Sequence, residues 1–217
     1  NANVNASSND YVSWTFRKAP GFFDIVTYTG DGSSSANTIS HSLGSTPGTI
    51  IVKGTNTSDP WIVWHRSLTS GNNLRLSDTH AQEAGNNFGN SYVAPTDSAF
   101  TVSNNYTNAL NKSYVAYIFA HDDQSFGTDS DEAIIKCGSF TGANHTESLG
   151  FEPQWLLAKR TDTTGDWFLV DNMRGFPASG DSRNLRPNTS DDENTAWFSL
   201  TSNGFYYSSS SASYAYV

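Results

Sequence analysis

The chain has 217 residues and a net charge of −9 at pH 7, with 12 Lys and Arg scattered among 21 Asp and Glu, so it lacks the clustered basic face that nucleic-acid phosphates require. A single cysteine, Cys137, excludes an internal disulfide framework and a cysteine-based metal site. Hydrophobic residues make up 36% and aromatics 13%, so large rings must supply most of a core, and no apolar run approaches the ~18–20 residues that membrane insertion needs.

Short runs rich in β-branched and aromatic residues predict strands over 11–16, 24–28, 49–53, 61–65, 74–76, 99–102 and 114–119. Further strands are predicted over 133–136, 154–159, 167–170, 197–200, 204–207 and from 214 onward. Turn clusters such as Thr29-Gly30-Asp31-Gly32 and Ser70-Gly71-Asn72-Asn73 punctuate them, and apolar residues at helical spacing never persist beyond a turn or two. The expected fold class is all-β, as tandem antiparallel β-sandwich or jelly-roll modules with short Gly/Asn/Ser-rich loops.

The tandem arrangement is written in the sequence. Tyr11-Val12-Ser13-Trp14-Thr15-Phe16 returns as Tyr114-Val115-Ala116-Tyr117-Ile118-Phe119, an offset of 114 − 11 = 103, and its opening returns again as Ser213-Tyr214-Ala215-Tyr216. Leu43-Gly44 and Pro47 match Leu149-Gly150 and Pro153, Ile50 to Lys53 match Leu156 to Lys159, and Trp61 matches Trp167, all at an offset of 106. Asn73-Leu74-Arg75 matches Asn184-Leu185-Arg186 at 111. A period this long is the size of a domain, not of a solenoid unit. The expected organisation is a closing strand of a preceding module at 1–16, one module at 17–120, an acidic linker at 121–132 and a second module at 133–217, stopping inside its last strand. The chain is therefore expected to be part of a longer multi-module polypeptide.

The motifs Phe23-Asp24-Ile25-Val26-Thr27-Tyr28-Thr29-Gly30-Asp31-Gly32, Ile39 to Gly44, Pro47 to Lys53 and Trp61 to Leu68 resemble a repeat domain of tailed-phage virion proteins, frequent in marine phages. Ile135 to Gly142, Leu149 to Arg160 and Asp171 to Gly175 resemble the module that follows it in such chains. The resemblance implies a non-enzymatic virion structural protein, a modular fibre or tail appendage or a head fibre, in the extracellular phage particle. It implies other virion proteins as partners and brings no cofactor and no catalytic residues. A homo-oligomer is expected, a trimer in the case of a fibre, and host surface polysaccharide is the candidate external ligand beside a plain spacer role.

Sugar recognition on a β scaffold takes an exposed ring with hydrogen-bonding groups beside it. Trp64, His65, Arg66 and Arg75 supply those residue types in the first module, and Asp171, Asn172, Arg174 and Arg183 in the second. Trp61 and Trp167 recur in register between apolar neighbours and are expected in the core, whereas for Trp64 core and surface readings both stay open. Any host contact is expected on the loops 67–73 and 175–183, which differ most between the copies, by 111 − 106 = 5 residues, with plain spacer surface as the other reading of the same loops.

The alternative function is a glycan-degrading depolymerase on a jelly-roll scaffold, which needs two carboxylates about 5–10 Å apart. Asp166, Asp171, Asp191, Asp192 and Glu193 are its candidates, but all except Asp171 fall in Ser/Thr/Asn-rich turns and no pair recurs in both copies. No Gly-x-Ser-x-Gly elbow or phosphate-cradling glycine loop is present. The linker acids Asp122, Asp123, Asp129, Asp131 and Glu132 fit no calcium-loop spacing, and the five histidines form no pair at ligand spacing, so no metal site is expected.

Overall fold

A computed structural model describes residues 11–89, 93–121, 128–129, 132–209 and 214–217. In chain order its elements are β1 (Phe23–Thr29), β2 (Asn37–Ser40), β3 (Pro47–Gly54), β4 (Ile62–His65), β5 (Asn72–Arg75), β6 (Glu83–Ala84), β7 (Ala99–Val102), the short helix α1 (Asn104–Asn108) and β8 (Ser113–Ala120). The C-terminal half adds β9 (Phe140–Thr141), β10 (His145–Ser148), β11 (Trp155–Lys159), β12 (Trp167–Asp171), β13 (Ser182–Leu185), β14 (Asn194–Ala196), β15 (Phe198–Thr201), β16 (Gly204–Tyr207) and β17 (Ala215–Tyr216). The protein is all-β, built of several antiparallel sheets.

A six-stranded sheet of order β1-β8-β3-β4-β5-β6 dominates the N-terminal half. Side chains alternate across a strand, and β8 shows the consequence: Tyr114, Ala116, Ile118 and Ala120 turn into one cluster while Tyr117 and Phe119 serve the opposite face. The first face packs with Ile39, Phe100 and Val102 of the β2–β7 ribbon. The second face, carrying Ile51, Val63 and Leu74, packs on Trp167 and Leu157 of the four-stranded sheet β11-β12-β13-β14. That sheet's far side sends Ala158, Val170 and Ala196 into a third cluster with Phe140, Phe198, Phe205, Tyr207 and Tyr216. Because β3 serves clusters on both of its faces, its Ile50-Ile51-Val52 run is apolar throughout instead of alternating.

Pairing in the two halves follows one scheme. Ile51 pairs with Val63 as Leu157 pairs with Leu169, both shifted by 106. Val63 pairs with Leu74 as Leu169 pairs with Leu185, and Asn73 pairs with Glu83 as Asn184 pairs with Asn194. The outer partners recur as well, β1–β8 beside β9–β17 and β2–β7 beside β10–β16. Gly54 faces Tyr114 across β3 and β8, and its counterpart Arg160 bridges to Tyr216. Tyr216, not Tyr214, therefore stands in the place of Tyr114; the spacing of tyrosines at alternate positions allowed either alignment, and burial selects Tyr216.

Two predicted strands are absent. Residues 11–16 form no ladder and are held by rings instead, Phe16 lying 5.4 Å from Phe119 and 5.7 Å from Trp155. Residues 133–136 form no ladder either; Ile135 packs against the first cluster, and Cys137 Sγ donates to Ala120 O at 3.4 Å. The linker acids Asp122, Asp123 and Asp131, like residues 1–10 of the expected closing strand, lie outside the described residues.

Candidate functional site

Of the eight candidate residues, the structure gathers three. Asp171 ends β12 with its carboxylate buried, and the tight turn that follows returns the main-chain N–H of Arg174 to Asp171 Oδ1 at 3.1 Å. The guanidinium then closes on the same carboxylate, Nη2 to Oδ2 at 2.8 Å, and donates to Leu169 O at 3.2 Å. Glu193 stands 3.7 Å from Arg174 Nε and 3.9 Å from Arg183 Nε, so it draws the third member in from β13. Asn172 is exposed beside them, and its N–H is taken by Gln154 O at 3.1 Å.

Trp14 completes the cluster. Its Nε1 donates to Asp171 Oδ2 at 2.9 Å and its ring lies 5.2 Å from the Arg174 guanidinium, within cation–π range. No local signal marks this residue, because the contact spans 157 positions. Trp14 lays its half-buried ring against a guanidinium and a carboxylate that are buried and already bonded to one another, so the pair holds the ring in place. The ion pair between Asp171 and Arg174 is almost fully buried, so it is favourable only through its geometry and added hydrogen bonds.

The N-terminal candidates do not form a site. Trp64 is only 4% exposed, pairs with Ile50 and belongs to the first cluster, so it offers no face for stacking. His65 is 7% exposed, its Nδ1 accepts the N–H of Ser67 at 3.2 Å, and burial, with Arg66 alongside, lowers its pKa to about 4. It is a neutral interior group. Arg75 is consumed in ion pairs, 2.6 Å to Glu83 and 3.6 Å to Asp78. Arg66 is exposed, and its main-chain N–H is taken by Gly48 O at 2.9 Å. The two tryptophans expected inside divide: Trp167 is buried at 3%, whereas Trp61 is half-buried and stacks on Tyr117 with ring centroids 6.1 Å apart.

Of the carboxylates of the enzymatic alternative, Asp166, Asp171, Asp191 and Glu193 stand in ion pairs and Asp192 is exposed. Asp166 and Asp191 approach the same Arg186 Nη1, at 3.1 and 3.6 Å, and Asp166 also accepts Asn188 Nδ2 at 2.8 Å. Lys159, the counterpart of Lys53, is fully buried and donates to main-chain oxygens only, Arg160 O at 2.6 Å and Thr79 O at 3.5 Å; desolvation brings its pKa down to about 8. Lys53 does the same at the equivalent turn, donating to Asp59 O at 2.6 Å and Thr57 O at 3.2 Å. These lysines close turns.

Residues 1–216 match the family described as Domain of unknown function (DUF7483), and the chain belongs to that family. The match runs through both halves as one unit. No curated protein and no solved structure matches the chain.

Proposed function

We propose that this protein is a non-enzymatic structural component of a tailed-phage virion, a modular fibre or tail appendage whose β-sandwich module is present twice. The observation that carries the reading is the shared pairing scheme: strands related by 106 and 111 residues keep the same partners in the same register. Duplication of a module lengthens a chain while the two copies stay packed through a shared apolar cluster, which suits a spacer or adhesin. An acidic surface keeps such an exterior hydrated and apart from its neighbours.

Host contact in this reading belongs to the Trp14 ring and the exposed Asn172 and Arg183, steadied by the buried Asp171–Arg174 pair, and the ligand is a host surface polysaccharide. Single contacts of this kind are weak, about millimolar, and gain strength when several copies in a closed oligomer engage together. A trimer satisfies that requirement. The non-enzymatic assignment is supported by Asp166, Asp171 and Asp191, each of which faces an arginine. Gold-labelled antibody against the chain, applied to purified particles of the phage that encodes it, tests the reading: labelled fibres or tails support it, and unlabelled intact particles beside labelled host lysate refute it.

A further inference from the structure

The N-terminal half contains a recess of about 280 Å³ between the loop after β1 and helix α1. Its lining is Ser33, Ser34, Asn86, Ser103, Asn104 and Asn108, with Gly32 at one edge. We infer that this recess binds one neutral sugar ring.

The walls are built before any ligand arrives. Gly30 has no side chain to strike the main chain at Ala109, and Gly32 adopts a φ of +70° close to Leu110, so the loop lies flat against the end of α1. Asn108, fully buried, pins that loop from beneath: Nδ2 donates to Asp31 Oδ1 at 2.6 Å and to Ser33 O at 3.2 Å, and Oδ1 accepts Asn37 Nδ2 at 2.9 Å. On the opposite wall Asn86 and Asn104 both hold left-handed backbones, φ 49° and 70°. They are fixed by Ser103 Oγ donating to Asn86 O and by Asn104 Nδ2 donating to Gly85 O at 2.8 Å. Asparagine tolerates that region better than most residues with a side chain, so the wall keeps two carboxamides at positions most other residues would resist.

The lining dictates the ligand class. Its side chains are hydroxyls and carboxamides, with no charge to select an ion and no large apolar ring to select a hydrophobe. A polyhydroxylated ring matches donors and acceptors of that kind. The recess stands on its own geometry, while the source of the ring, a host surface polysaccharide, rests on the virion reading above.

The test is a titration of the isotope-labelled 217-residue chain with glucose, galactose and N-acetylglucosamine, read by amide chemical shifts. Saturable shifts at Ser33, Ser34, Asn86 and Asn104 with a millimolar dissociation constant are expected. Asn86→Gly and Asn104→Gly suit the left-handed backbone, so both variants fold, and each weakens binding about three- to tenfold by removing hydrogen bonds. Absence of saturable shifts for every sugar, or shifts that both glycine variants leave unchanged, overturns the site. Labelling of virions is independent of either result, so failure of the recess and failure of the virion reading are told apart.

Discussion

Trp167 donates its indole Nε1–H to the main-chain oxygen of Arg75 at 2.8 Å, a bond that reaches across 92 residues from the C-terminal half to the N-terminal one. The ring lies in the apolar cluster where the six-stranded and four-stranded sheets meet. Beside it, Gly165 N donates to Thr79 O at 2.9 Å and Gln82 N to Thr161 O at 3.1 Å. The sheets are thus joined by an apolar face with a hydrogen-bonded margin.

Removing that ring should loosen both halves. Trp167→Ala is expected to cost about 3–5 kcal/mol, from lost burial and a cavity, in chemical denaturation. Trp167→Phe should cost less, about 1–3 kcal/mol, because the ring is largely kept and only the Arg75 oxygen loses its donor. Equal stability of the two variants would contradict this division.

The repeated pairs were legible in the sequence because Lys53 and Lys159, or Trp61 and Trp167, fix the register of whole strands. Polar strands were not. β10 (His145–Ser148) and β13 (Ser182–Leu185) carry almost no apolar side chains, so alternation gives no signal, and their partners alone make them strands. Trp64 was ambiguous because all four residues of β4 are buried, which removes the inside–outside contrast that periodicity reads. In the candidate site, Asp171 and Arg174 could be read as a local pair, but Trp14 joins them only through tertiary folding.

Asp171 anchors both Trp14 and Arg174, so Asp171→Ala leaves a largely buried guanidinium without its closest anion. A loss of about 3 kcal/mol is expected. Thermal unfolding, together with a change in tryptophan emission as the Trp14 indole loses its acceptor, reads the effect. A variant as stable as the wild type would show that Glu193 alone suffices for Arg174.

Lys159 carries a signature of opposite sign to most buried charges in pairs. Its pKa is about 8 in the folded chain against the ordinary 10.5, so between those values the unfolded chain holds the extra proton. Stability attributable to Lys159 must therefore rise as pH goes from 8 to 10.5, by about 3 kcal/mol at most. Cys137, pushed up to about 12 by burial, acts against it above pH 9. The difference between wild type and Lys159→Met isolates the lysine; a difference that stays flat over this interval would contradict the burial of its charge.

His65 works at the acid end. With a folded pKa of about 4 against 6.5, its contribution is complete above pH 6.5 and is lost as pH falls toward 4, because the buried ring is protonated at a desolvation cost and beside the Arg66 charge. His41, also lowered by burial and also accepting a main-chain N–H two residues on, from Leu43 at 3.2 Å, adds in the same direction. Wild type should lose stability relative to a His65→Gln variant between pH 6.5 and 4, and parallel curves would contradict the neutral, accepting ring.

A structural part of a virion, present as a small closed oligomer, must copurify with the particle in fixed proportion. Quantitative mass spectrometry of gradient-purified particles, referenced to the major capsid protein, measures this most directly. Peptides from both halves at one stoichiometry, in a copy number divisible by three, are the expected result. Absence of the chain from particles that remain infectious would contradict it.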